Sequence, residues 1–241
     1  FPTRRSSDLE KAFSHIALAE TKIEKLVHLE SGIISISASD TICNYYLLPY
    51  ITRFAKQYPG IRLEITNRTS LETVDLLKHG KVDFGFVNFP IEDDSLSKTV
   101  CCEIHDVLIS GALYKDLANH IMPLSELPKY PIVMLERKSI SRLCIDDFFE
   151  KAGISLAPVL ELGSLDLIIS FVRNNMGLAF IPTELCGQFI DNNEVFQVKL
   201  KSPIPTRGIG LIELKSIVQS KAAEKFKETV LPNPSETVRK S

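Results

Sequence analysis

The chain carries little net charge, no long apolar run and none of the short motifs that mark an enzyme. Its formal net charge is −2 over 241 residues, so nothing in the balance suggests a protein that coats nucleic acid or a membrane surface. No apolar stretch approaches the roughly 20 residues that a membrane span requires. Arg4 and Arg5 are not followed by the apolar region of a secretory signal. The five cysteines, Cys43, Cys101, Cys102, Cys144 and Cys186, form no C-x-x-C pair. An odd set of this kind is expected of a reduced, cytoplasmic protein in which each thiol is a small buried apolar group. His15, His28, His79, His105 and His120 are scattered, without the spacing of a metal site. Absent too are G-x-S-x-G, G-x-x-x-x-G-K-[ST] and H-E-x-x-H. Catalysis would need a nucleophile with its base, a metal set or a phosphate loop. None is expected, and no cofactor either.

What is present suffices for a folded core. Hydrophobic residues make up 44% and charged residues 24%, ordinary values for a globular chain that is long enough for one large domain or two small lobes. Residues 1–9, FPTRRSSDL, match no element and resemble a translated sequencing adapter. The chain is therefore expected to be a fragment with coding sequence missing upstream. Residues 10–30 place Phe13, Ile16, Ile23, Leu26 and Leu29 at helical steps. Such a helix either packs on its own domain or pairs with a second chain as a coiled coil. The tail 233–241 is polar and expected to fray.

Between Ser31 and Pro90 the pattern reads strand, helix, strand, helix, strand. Ile34, Ile36 and Ala38 alternate with serines, and Ser39, Asp40 and Thr41 supply the oxygens that cap a helix. Pro49 bends that helix, which stops at Pro59-Gly60. Ile61 to Thr66 is a second strand, Ser70 caps a short helix, and Phe84 and Phe86 belong to a third strand that ends at Asn88. Residues 91–98 read as an acidic turn and Thr99–Ser110 as one strand region. The second half repeats the plan. Pro131 to Leu135 is a strand, and Ser139 to Ser141 lead into a helix closed by Gly153. Val159 to Leu162 is a strand, and Gly163-Ser164 cap the next helix. Leu178 to Ile181 and Gly208 to Leu214 are strands, and Ser220 to Leu231 is a last amphipathic helix. Short crossovers of this kind build α/β lobes with parallel sheets. Each lobe ends its strands on small polar residues: Ser39, Asp40, Thr41, Thr69, Ser70 and Asn88 on one side, Ser139, Ser141, Gly163 and Ser164 on the other. Open α/β sheets bind ligands along that rim, and helix N-termini there favour an anionic group. The plainer reading of the same hydroxyls is that every helix needs caps.

The order of these pieces resembles the effector-binding domain of LysR-type transcriptional regulators. The carriers are the strand into Ser39-Asp40-Thr41, the L-L-P helix, Y-P-G-I-R-L-E-I, G-K-V-D-F-G-F-V, and the run from Glu161 to Pro182. The similarity spans about residues 12–232. It implies a type 2 periplasmic-binding-protein-like fold, α/β, with two Rossmann-like lobes joined by two crossing strands and preceded by a linker helix. Lobe I would comprise 32–103 and 206–232, and lobe II 104–205. Residues 10–30 would be the linker that dimerises such regulators, in a homodimer or tetramer completed through lobe I. Promoter DNA would be bound by an N-terminal winged helix-turn-helix, of which this stretch shows no trace. By position, Ser39 and Thr41 match the family's first-loop hydroxyls, Thr69 and Ser70 the loop after the second strand, Asn88 the end of the third. Ser139 and Ser141 match the lobe II loop and Ser164 its facing helix cap. Asp40, between two hydroxyls, departs from the pattern and would lower affinity for anions or point away. The implied function is a sensor that binds a small, anionic metabolite between its lobes and so changes transcription. The alternative on the same fold is a solute-binding protein of a transport system.

Overall fold

The computed structural model describes Leu29 and residues 31–231. The expectations for residues 1–9, for the tail and, apart from Leu29, for the 10–30 helix lie outside the described residues.

The first sheet grows from alternation. β1 (Gly32–Ala38) buries Ile34, Ile36 and Ala38 completely. It is also central, paired in parallel with β2 (Ile61–Asn67) on one side and β3 (Phe84–Asn88) on the other. Its second face is covered only toward the carboxyl end: Ile33 is exposed and Ser35 half-buried, whereas Ser37, on the face that alternation predicts to be wet, is buried. Its hydroxyl is satisfied by Thr73 Oγ1 at 2.8 Å. Helix α1 follows Ser39 in three segments, Asp40–Ile42, a π-helical turn Cys43–Leu47, and Leu48–Gln57. Pro49 has no N–H to donate, and the helix meets the proline through the wide turn before it, in which Leu48 N–H donates to Cys43 O. The amphipathic face drops Leu47 and Phe54 into a core with Phe84, Phe86 and Phe226. Each such side chain contributes about 1.5–3 kcal/mol by leaving water.

Helix α2 (Ser70–Lys78) is capped by Thr69, not by Ser70 as the sequence pattern suggested. Thr69 and Glu72 form a reciprocal capping box, which only the N-cap position can close. Ser70, one step inside, is freed to accept the Asn88 N–H at 3.0 Å, which ties the start of α2 to the end of β3.

The expected strand region 99–110 is two strands. β4 (Leu96–Ile104) begins inside the segment read as an acidic turn and belongs to the first sheet. β5 (Asp106–Ser110) belongs to the second, with His105 between them. After β5 come two 3-10 stretches, Ala112–Asn119 and Leu124–Lys129, then β6 (Ile132–Leu135) and helix α3 (Ile140–Lys151). β7 (Pro158–Leu162), helix α4 (Leu165–Arg173), β8 (Leu178–Pro182), helix α5 (Thr183–Asp191) and the short β9 (Phe196–Val198) complete the second unit. The chain then returns as β10 (Arg207–Leu214) and closes with helix α6 (Lys221–Val230).

The sheets have matching orders, β2-β1-β3-β10-β4 and β7-β6-β8-β5-β9. In each, three strands run parallel and the remaining two join antiparallel. The chain passes between the sheets twice, from β4 to β5 and from β9 to β10. The fold is the α/β, two-lobed, type 2 periplasmic-binding-protein-like architecture that the resemblance implied. Of the cysteines, Cys186 alone is fully buried, and the other four are half-buried against core edges.

Candidate functional site

Between the two sheets lies a cavity of about 230 Å³. It is lined by the starts of five helices. α1 contributes Ser39, Asp40 and Thr41, α2 Thr69 and Ser70, and α3 Ser139, Ile140 and Ser141. Gly163 and Leu165 stand at the start of α4, and Pro182, Glu184 and Leu185 at that of α5. These convergent helix N-termini follow from topology: in a parallel crossover the helix begins where the strand's carboxyl end stops. Asn88 lines the cavity as well, so the structure brings together all the residues singled out in the sequence except Ser164. Ser164 occupies the N-cap position of α4 but its side chain makes no capping bond, and it stands outside the lining.

The hydroxyls differ in how far they are occupied. Ser39 Oγ accepts from Ile42 N–H at 3.4 Å and Asp40 Oδ1 accepts from Thr41 N–H at 2.8 Å. Thr69 is held in its capping box and Ser70 by Asn88. Ser139 caps α3 in position without a side-chain bond. Ser141 is only 8% exposed, and among the described residues its hydroxyl has no partner.

Sequence reasoning missed the residue at the back of the cavity, Arg207. It opens β10 and its guanidinium is buried. Nε and Nη2 donate to the two oxygens of Asp106, at 2.6 and 3.1 Å, and Nη1 donates to Asn88 Oδ1. Asp106 opens β5, so this bidentate pair ties together the two passages between the sheets. Planar fork-to-fork geometry suits a buried guanidinium, whose charge must be matched. A lone Arg after Pro205-Thr206 gives no hint of a partner 101 residues away.

Tyr45 also reaches across the cleft. From the π-helical turn of α1 its hydroxyl crosses the cleft and donates to Asp166 Oδ1 at 2.7 Å. Partial burial, then the hydrogen bond and charge of Asp166, push its pKa up to about 12. Tyr46 turns the other way, onto the core, and donates to Val230 O. The lining is also rich in carboxylates, with Glu103, Glu136 and Glu184 joining Asp40. Glu184 pairs with His105 Nδ1 at 3.0 Å, on an exposed part of the first passage between the sheets. Among the described residues no group of His, Cys, Asp and Glu could hold a metal, and no helix is long and apolar enough to cross a membrane.

Known proteins share this fold. The profile of the LysR substrate binding domain matches residues 28–234. A "Probable RuBisCO transcriptional regulator" of Guillardia theta is 25% identical over 215 residues, 87% of this chain and 69% of the relative. Among solved structures, the regulatory domain of Synechocystis PCC6803 CcmR in complex with 2-PG superposes with a TM-score of 0.76 at 18% identity, over 83% of this chain and 96% of that one. The effector-binding domain of QuiR in complex with shikimate gives 0.73 at 18% identity, with the same coverage of each chain. These relatives favour the regulator over the transport-system reading. With a family profile covering most of its length, the chain belongs to the LysR substrate-binding-domain family.

Proposed function

We propose that this chain is the ligand-sensing part of a LysR-type transcriptional regulator, and that its effector is a small polar metabolite held in the cleft. The observation that supports this best is the cavity itself. Five helix N-termini and hydroxyls from both sheets face one space. Helix N-termini attract an anionic group, through their free N–H donors and the helix dipole. Shikimate and 2-PG occupy the corresponding domains of QuiR and CcmR. The ligand-contacting set is Ser39, Asp40, Thr41, Thr69, Ser70, Asn88, Ser139, Ser141 and Gly163; Ser164, singled out with them in the sequence, stands outside the lining.

Lobe I comprises 32–103 with 206–232, and lobe II 104–205. A ligand that binds the closed lobes better than the open ones shifts their population by its difference in affinity and no more. The lobe angle is then passed to a dimer or tetramer built through the 10–30 helix and lobe I. The dimer presents winged helix-turn-helix domains to promoter DNA in the cytoplasm. The effector is sensed and not turned over. Footprinting of the full-length regulator on its own promoter, with and without candidate metabolites, tests this. Protection altered by a metabolite is expected, and no protection under either condition refutes it.

A further inference from the structure

The charges around the cleft are unequally placed, and their placement constrains the ligand. Four of the five helices that start on it carry a carboxylate in their own first turn: Asp40 in α1, Glu72 in α2, Asp166 in α4 and Glu184 in α5. Each offsets the positive end of its helix. Helix α3 has no acidic residue in its first turn. Its N-terminus also carries open hydroxyls. Ser139 makes no capping bond, and the nearly buried Ser141 has no partner among the described residues. One anion-seeking end therefore remains, on the second-sheet side.

The rest of the wall is acidic. Asp40, Glu103, Glu136 and Glu184 come from α1, β4, the β6–α3 loop and α5, and so from both sides of the cleft. Among the described residues Arg207 is the one cationic side chain in the lining, and three of its five N–H groups already serve Asp106 and Asn88. A ligand with two anionic groups would find one receptive helix end and then four carboxylates. Closure of the lobes would bring those like charges nearer, which costs free energy. A ligand with one carboxylate and one ammonium would answer both features.

Resting on the reading of the cleft as the effector site, we propose that the effector is an amino-acid-like zwitterion. Its carboxylate sits at Ser139 and Ser141 on the N-terminus of α3. Its ammonium sits among Asp40, Glu103 and Glu136.

Calorimetric titration and thermal shift of the chain with the L-amino acids, set against succinate, 2-phosphoglycolate and butylamine at equal millimolar concentration, test this. An L-amino acid is expected to bind, with the dianions and the simple amine giving no shift. Paired Glu103→Gln and Glu136→Gln changes, both at exposed positions, are expected to weaken that amino acid roughly tenfold, and Ser141→Ala to weaken it as well. Succinate or 2-phosphoglycolate binding as tightly as any amino acid overturns the proposal. So does a paired Gln variant that binds amino acids unchanged, or no shift from any of them. If the dianions bind and Ser141→Ala weakens them, the cleft remains the sensing site and only the ligand class falls. Binding that ignores Ser141→Ala refutes both.

Discussion

Asp106→Ala is expected to be among the most damaging single changes in the chain. The side chains of Arg207 and Asp106 are 5% and 4% exposed, so the mutation leaves a guanidinium in the interior with Asn88 as its only side-chain partner. Two hydrogen bonds of 2.6 and 3.1 Å disappear with the charge that balanced it. Breaking a buried pair from one side costs about 3–5 kcal/mol. In a chain of this size each kcal/mol lowers Tm by about 2–4 °C, so the melt should fall by roughly 6–20 °C. Removing both members, as Asp106→Leu with Arg207→Met, leaves no orphan charge, and should recover most of that loss. A double-mutant cycle followed by circular dichroism or calorimetry reads the coupling. The reasoning is refuted if Asp106→Ala melts within about 2 °C of the parent, or if the double variant is no more stable than the single one.

Three further outcomes follow from other parts of the fold. Gly210 sits at the irregular step of the β10–β4 ladder, where an added Cβ would meet the Phe89 ring and lie 2.6 Å from Thr99 O. Gly210→Ala should destabilise by about 1–3 kcal/mol in denaturant melts, since backbone cannot yield as a flexible side chain would. The Tyr45 phenol is raised from 10 to about 12, first by burial and then by Asp166. Its contribution is therefore present below pH 10 and is lost as pH rises through about 12. Burial holds the Tyr46 phenol higher still, so absorbance titration at 295 nm should show a phenol titrating near pH 12 that Tyr45→Phe removes, and unchanged curves would contradict the cross-cleft bond. Burial raises all five thiols, with Cys102 and Cys186 at about 11. Native protein should react slowly with a disulfide reagent near neutral pH and release all five on unfolding, whereas a fast native thiol would show a reactive site.

Local chemistry was the legible part. The alternation of Ile34, Ile36 and Ala38, the small polar residues after each strand and the proline and glycine stops all act within a few residues, so they survive in a linear reading. One-position errors arose where two neighbours had the same chemistry. Thr69 and Ser70 are both good caps, and only the reach of Glu72 decides between them. What stayed hidden depends on distant partners. Nothing near Asp106 announces Arg207, nothing near Tyr45 announces Asp166, and the division of 99–110 into two strands follows from which sheet each half joins. The acid-rich wall was hidden for the same reason, since Glu103, Glu136 and Glu184 lie on separate elements and meet only across the cleft.

The most direct test of the central claim is a thermal-shift titration of a metabolite set on the parent chain and on Thr41→Ala and Ser141→Ala, one from each wall of the cleft. A ligand at about 100 times its Kd adds about 2.7 kcal/mol to the stability of the folded state, roughly 5–10 °C for a chain of this length. The account predicts that some metabolite gives such a shift and that both substitutions diminish it. A shift that persists unchanged in both variants would place the ligand elsewhere and contradict the account.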